Sequence, residues 1–585
     1  MRVRERHLRG LFLLASLVLF GSCPLLSHSV QSLPRNESHP PVVNVIVVGA
    51  TGDLAAKYLW VSLFRLASTD GRTYRFFAGA SQSLERGSAW RSESFNERFA
   101  QRVCGAVQAQ QGISAAQTKC LEFLEAEFKP SVQYTPLSKE SHYRDLGNTL
   151  DQMHAGTTEE GRLLYLAIPP QYFLQSCEFI HRFLRPEASE NGPAGFLRVV
   201  VEKPFGRDLQ SARELATRLR SLYSNDELFV MDHYAGKRVV HALRNYFQLN
   251  AAVLRPIWNS EHIRDIRIEM TEEATLQNRV HYFDSAGIIR DVMVNHLQLL
   301  LNVAVSPAFN AAIYDPSLSS SEFARRVHVA QLRFVESLQI PVQASHQQAP
   351  LVVGQYEEYA THYREEMGQN LEKSGHFTPT AAMVELRNSL EEWRNTTFRL
   401  AAAKAADARL LTVTVVFRQG TFPIKSSEPC KFTVTIQKAH NADTHQSHRI
   451  EWSCDVTDTL QLPEDREYLD SQDHRIITPS QSNSRTMEET LEASAWKLGD
   501  KLSAYDILLR DVARGASGNF ADLDEVEAAW KLWTPLVEAA EGYGHRSHDA
   551  ASLQYVSYPA GTSPWDQLQT NSRSFEDFRT DREEL

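Results

Sequence analysis

What this chain has little of narrows it first. Six cysteines in 585 residues are too few for a disulfide-dense scaffold, and no two of them have metal-ligand spacing, so no metal is expected. No apolar run reaches the roughly 20 residues of a membrane span, and there is no internal repeat or low-complexity tract. Basic residues are outnumbered, 61 Lys and Arg against 72 Asp and Glu, for a formal charge of -11. That balance excludes broad attraction to nucleic acid or anionic membranes, and any anionic ligand must meet a local basic cluster. What is present, 42% hydrophobic and 23% charged side chains, can bury the cores of two or more domains.

The two ends carry address-like features. Arg2, Arg4, Arg6 and Arg9 precede the apolar run Leu11 to Phe20 and then Gly21, Ser22 and Cys23, the order of a signal peptide, here taken as residues 1–30. The last four residues, Arg582-Glu583-Glu584-Leu585, are a variant of the Lys-Asp-Glu-Leu retrieval address. Together they point to the endoplasmic reticulum lumen, with secretion as the alternative and no membrane span once the leader is cleaved. The sequons at Asn36 and Asn395 acquire meaning only on that route. An oxidising lumen permits Cys104 with Cys120 and Cys430 with Cys454, which would leave Cys177 over, although spacing does not fix connectivity.

Between the ends the texture changes once. Val42 to Val48 is a β-branched run broken only by Asn44, as in a strand covered on both faces. Leu59, Leu63 and Leu66 follow at helical spacing, and Arg75–Ala80, Leu163–Ile168 and Leu197–Val201 read as later strands. Alternating strands and helices imply a Rossmann-like, doubly wound α/β coenzyme domain over 42–230. From 231 to 585, the alternation of Ile263–Met270, the helical Tyr282–Val303 and the β-rich Leu410–Phe417 and Cys430–Ile436 predict an α+β domain with a large, mostly antiparallel sheet. Thr457–Glu489 reads as irregular surface.

The first strand ends in Gly49-Ala50-Thr51-Gly52-Asp53-Leu54, two glycines where the chain turns into a helix. Unpaired N–H groups and the positive helix end suit a pyrophosphate there, each anionic group gaining about 0.3–1 kcal/mol when exposed. The spacing departs from G-x-G-x-x-G, and a plain strand-to-helix turn is the alternative. After the second strand, Ser81 and Gln82 stand where an acid would take a ribose hydroxyl or an arginine its 2′-phosphate, so use of both NADP and NAD is expected.

Three further segments carry chemistry: Val201-Glu202-Lys203-Pro204-Phe205-Gly206, Asp232-His233-Tyr234-Ala235-Gly236-Lys237, and Ile288 to His296, which includes Arg290-Asp291 and Asn295-His296. Each residue alone has a bland reading as a core histidine or a solvated charge. In this order they resemble the glucose-6-phosphate dehydrogenase family, in particular its luminal hexose-6-phosphate dehydrogenase branch without the lactonase, from about Val43 to Thr534-Pro535-Leu536 and beyond. The resemblance implies oxidation of glucose 6-phosphate and other hexose 6-phosphates to 6-phosphogluconolactone in a luminal pentose phosphate pathway, by a homodimer. His296 suits the general base, because imidazole titrates nearest working pH. Asp291 lies five residues earlier, roughly 140° around a helix, so helix geometry does not fix a contact; the resemblance implies that Asp291 orients His296. It also implies that His233, Tyr234 and Lys237 hold the phosphate and that Lys203 touches sugar and coenzyme. Glu272, Lys404 and Arg409 would complete the pocket, Tyr165 would stand beside the coenzyme with Gln82, and the Lys203–Pro204 bond would be cis.

Departures from the family pattern bear on affinity: Val230 replaces an arginine ahead of the phosphate motif and Ala235 a leucine within it. Two other classes remain open at this point. A dehydrogenase of unphosphorylated sugars would need neither His233 nor Lys237, and a non-catalytic luminal sensor would bind nucleotide or sugar phosphate without turnover.

Overall fold

The computed structural model describes residues 42–105, 114–154, 160–186, 195–309, 318–341, 350–373, 377–422, 429–439, 449–454, 503–542 and 553–566. The leader, the retrieval-like ending, Asn36 and Thr457–Glu489 lie outside them.

Six parallel strands form the first sheet: β1 (Val42–Val48), β2 (Thr73–Ala80), β3 (Val132–Pro136), β4 (Glu160–Leu166), β5 (Leu197–Glu202) and β6 (Leu228–Met231), in the order β3-β2-β1-β4-β5-β6. Side-chain alternation divides β1 between two cores. Val43, Val45 and Val47 join the cluster on one face, with α1 (Trp60–Thr69), and Ile46 and Val48 join the other, with Ala212, Ala216 and Leu219 of α2 (Leu209–Leu222). Each such fully buried aliphatic side chain contributes about 1.5–3 kcal/mol. The polar exception, Asn44, is wholly buried and donates to Glu160 Oε1 at 2.8 Å; Glu160 in turn accepts from Arg162 at 2.6 Å. The order reverses at β1, where chains leaving for β2 and β4 diverge and leave a crevice beyond the carboxyl ends.

The second sheet has nine strands: β7 (Ile263–Thr271), β8 (Leu338–Gln339), β9 (Leu351–Tyr356), β10 (Ala381–Asn388), β11 (Thr397–Ala403), β12 (Arg409–Phe417), β13 (Lys431–Ala439), β14 (Arg449–Trp452) and β15 (Leu553–Tyr558). Its order is β14-β13-β12-β7-β11-β10-β9-β15, with β8 on β10. Pairing is antiparallel except at β7–β11 and β9–β15, so the sheet is mixed and mostly antiparallel.

The helical passage Val280–Ala308 packs on this sheet. It comprises α3 (Val280–Ile288), a π-helical stretch Ile289–Leu297 and α4 (Gln298–Val305). By length and composition it could cross a membrane, yet 83% of its most apolar window is buried inside the protein, as for a core helix.

Near its end the chain returns to the first sheet. The helix α5 (Ala504–Arg514) starts at Ser503, whose hydroxyl caps Asp506 N, and is tied to α1 by Ser62–Ser503 at 3.1 Å and Arg65–Asp506 at 2.7 Å. The following α6 (Leu523–Glu541) sends Trp530 Nε1 to Phe205 O at 2.8 Å and Trp533 Nε1 to Gln298 Oε1 at 3.0 Å. Those two indoles fix the segment after β5 and the passage that carries His296. Disulfides join Cys104 to Cys120 and Cys430 to Cys454, and Cys177 is free and buried.

Candidate active site

At the end of β1, Gly49 adopts φ 88, and a Cβ there would lie 2.2 Å from Ala167 O, so a side chain is excluded twice over. Its N–H and that of Ala50 donate to Gly79 O at 2.8 and 3.0 Å, which pins the turn to β2. Gly52 and Asp53 are exposed where the helix begins, with Thr51 and Leu54 half-buried beside them. Asp53 pairs with Lys57 one turn on, at 2.8 Å. Past β2, Gln82 O accepts from Tyr134 Oη at 2.9 Å, and no acidic side chain occupies 81 or 82. Tyr165 is buried in β4, and its phenol donates to Glu202 at the end of β5.

The second group forms where β5 and β6 end beside the π-helical stretch. Lys203 and Pro204 are joined by a cis bond. His296 is 3% exposed, and its Nδ1 lies 2.6 and 2.7 Å from the two carboxylate oxygens of Asp232. Asp232 also accepts from Tyr234 N at 2.9 Å, which holds the carboxylate still. Donation from Nδ1 leaves the Nε2 lone pair of His296 free. Burial pushes the imidazole below its ordinary value although Asp232 pulls the other way. Burial also opposes ionisation of Asp232, but His296 beside it holds the carboxyl well below the usual range.

The expected pairing of Asp291 with His296 is therefore corrected. Asp291 lies on the π-helical stretch with its carboxylate 3.0 Å from Lys404 Nζ, and its backbone oxygen accepts from Lys203 Nζ at 3.0 Å. Lys404, 5% exposed, is also 2.9 Å from Glu272; burial opposes its charge, but the two carboxylates raise its pKa. It stands at the end of β11, just before Ala405, which takes the left-handed φ 51. Across the pocket the Tyr234 ring is 4.0 Å from that of His296, and Lys237 Nζ lies 5.3 Å over the Tyr234 ring. Burial, reinforced by Arg409, pushes the Lys237 ammonium down. Burial and the field of His296 push His233 down to about 3. The predicted His233, Tyr234, Lys237, Glu272, Asp291, His296, Lys404 and Arg409 thus come together, and Gly49 to Leu54 form a separate group at the end of β1.

Three contributors escaped the sequence reading. Asp232 was visible as the first residue of a motif but was given no role. Glu202 is buried, and burial pushes its carboxyl up to about 7 against the hydrogen bond from Tyr165. Tyr505, on α5, also bonds Glu202, and its ring is parallel to that of His233 at 6.2 Å and stacked on Tyr58 at 5.3 Å. No local signal joins residue 505 to residue 233; only the fold does.

A doubly wound sheet with a glycine turn at its switch point, feeding a mixed sheet that closes a polar pocket, defines a two-domain dinucleotide-binding protein. The chain belongs to the glucose-6-phosphate dehydrogenase family. Residues 46–242 match the model described as glucose-6-phosphate dehydrogenase, NAD binding domain, and residues 245–573 the one described as its C-terminal domain. Over 546 residues the chain is 28% identical to the rabbit (Oryctolagus cuniculus) GDH/6PGL endoplasmic bifunctional protein, covering 91% of this chain and 62% of that protein. It therefore spans about three-fifths of that relative's length. With the glucose-6-phosphate 1-dehydrogenase of Kluyveromyces lactis it shares 30% identity, over 86% of this chain and 92% of the other. A solved glucose-6-phosphate dehydrogenase in complex with glucose 6-phosphate superposes with a TM-score of 0.64 at 24% identity, covering 93% of this chain and 98% of that one, which establishes the shared fold.

Proposed function

We propose that this protein oxidises glucose 6-phosphate, and other hexose 6-phosphates, at C1 to the lactone while reducing NADP, and also NAD. The observation that carries the reading is the Asp232–His296 pair set among Lys203, Lys237 and Lys404. A bound nicotinamide dinucleotide supplies the hydride acceptor. The glycine turn suits its pyrophosphate, since the chain enters the helix through the exposed Gly52, whose backbone no side chain covers, and Gly49 to Leu54 with Gln82 and Lys203 would hold it. With neither an acid nor a buried arginine at 81 and 82, the coenzyme's 2′ position is neither repelled nor clamped.

His296 Nε2 takes the proton of the C1 hydroxyl, and Asp232 stabilises the imidazolium that results. His233, Tyr234, Lys237 and Arg409 hold the phosphate dianion, with hydrogen-bonding and cationic groups that share its charge. Glu272, Asp291 and Lys404 hold sugar hydroxyls from the opposite wall. On this reading residues 42–230 bind the dinucleotide, and residues 231–585 bind the sugar and make a homodimer.

For compartment, we propose the endoplasmic reticulum lumen. The two disulfides, the exposed Asn395 sequon and the endoplasmic name of the rabbit relative support it. The experiment is coenzyme reduction by the purified chain with glucose 6-phosphate, galactose 6-phosphate and free glucose. Turnover of both phosphorylated sugars and little of free glucose is expected. Equal use of free glucose would reject the phosphate site, and no turnover with any of the three would reject the enzyme.

A further inference from the structure

Hydride transfer uses Asp232, His233 and His296 in separate tasks, yet the three form one donor set. Each offers a ligand atom within 4.8 Å of the others. Two imidazoles and a carboxylate are donors that zinc-class divalent ions accept, at about 2.0–2.2 Å. Bonds of that length place tetrahedral donors roughly 3.4 Å apart, so an ion would part the 2.6 Å contact of His296 with Asp232, or take the other imidazole nitrogen, and draw His233 in.

A metal requires neutral imidazoles and an ionised carboxylate, so binding is expected to weaken in acid. Access comes from the His233 side, since His233 is half-buried while Asp232 and His296 are covered. Lys203 and Lys237, whose charges act on His233, oppose a cation. Binding is therefore weaker than at a structural zinc site, and reversible.

We propose that Asp232, His233 and His296 form an inhibitory site for a zinc-class divalent cation, which occupies the base and a phosphate ligand together, so that metal and hexose phosphate exclude one another. The inhibitory consequence rests on the functional reading above; the binding itself does not.

The test begins with the metal-free full chain titrated with Co²⁺ and watched by visible absorption, with Zn²⁺ then added as competitor. A cobalt band that Zn²⁺ abolishes, and that glucose 6-phosphate diminishes, is expected. His233→Gln should weaken the band's cobalt affinity about 10-fold or more, and Asp232→Asn about 10- to 100-fold, with thermal unfolding used to verify that each variant is folded. Lys237→Gln should act oppositely, leaving cobalt affinity equal or higher because a neighbouring positive charge is gone, while glucose 6-phosphate displaces the ion less well. Cobalt binding unchanged by His233→Gln and Asp232→Asn would place the ion elsewhere and overturn the proposal, as would no band at millimolar Co²⁺ near neutral pH. A protein that binds cobalt as described but turns over no sugar would sink the functional reading and leave the site standing. Turnover indifferent to Zn²⁺, with no cobalt band, would do the reverse.

Discussion

His296 can serve as a base only if its proton leaves one nitrogen free, and the residue that arranges this is Asp232. Asp291 contributes charge to the same pocket but spends its carboxylate on Lys404. The two aspartates should separate kinetically. Asp232→Asn removes the partner of the imidazolium and should lower kcat by about 10²–10⁴-fold with little change in the hexose phosphate KM. Asp291→Asn leaves Lys404 with one carboxylate partner and should act mainly on KM; equal loss of kcat in both would restore Asp291 as the orienting group. The acid limb of the rate follows from the same burial. If His296 is the base, as proposed, it must be neutral to act, so kcat should be lost as pH falls through its pKa, and burial sets that value below the ordinary imidazole range. A profile of kcat against pH should therefore stay flat down through about 6.5 and fall only below it; a fall beginning above pH 7 would mean that Asp232 outweighs burial.

At the scale of elements, Glu202 joins three of them: β5 carries it, β4 supplies Tyr165 and α5 supplies Tyr505. Its folded pKa of about 7 lies above the unfolded value of 4.5. The stability it allows is thus fully present below pH 4.5 and is lost as pH rises through about 7. Glu202→Gln removes that loss, and should raise the unfolding free energy by up to about 3 kcal/mol above pH 7, with no gain at pH 4; denaturant unfolding at the two pH values decides. A second junction is closer still. A Cβ on Gly236, inside the segment proposed to bind phosphate, would lie 2.3 Å from Ala504 O. Gly236→Ala should push α5 away, costing about 1–3 kcal/mol and raising the hexose phosphate KM; wild-type values for both would mean that this contact does not position the motif. These junctions mark where sequence stops being legible. The β-branched runs of β1 and β5, the apolar runs within β2 and β4 and the alternation of β7 were readable because each buries its own side chains, and so was the helical passage around His296. The turn from α-helix to π-helix over Ile289–Leu297 left no compositional trace, and so a spacing argument about Asp291 could not be decided. The alanine-rich β10 and β11 were not singled out, because alanine favours no periodicity strongly. Tyr505 was invisible because its contacts depend on the whole chain closing up.

On the scale of the whole molecule, the compartment and the fold constrain each other through sulfur. The Cys104–Cys120 and Cys430–Cys454 bridges span 16 and 24 residues of sequence, and closing loops of that length restricts the unfolded chain by about 3 kcal/mol each. In a reducing compartment both contributions vanish, whereas in an oxidising one they persist. Cys177 takes no part; burial pushes its thiol up to about 12, so it stays protonated and inert in the folded state. These facts set a count that reports cleavage as well as oxidation. Protein recovered from the secretory pathway and unfolded without reductant should yield one reactive thiol, from Cys177, provided that Cys23, the other cysteine outside the bridges, leaves with the expected signal peptide. After reduction the same chain should yield five. Two thiols before reduction and six after would mean a retained leader with both bridges intact. Five before reduction would mean that the bridges do not form in the cell, and the luminal assignment would fall with them.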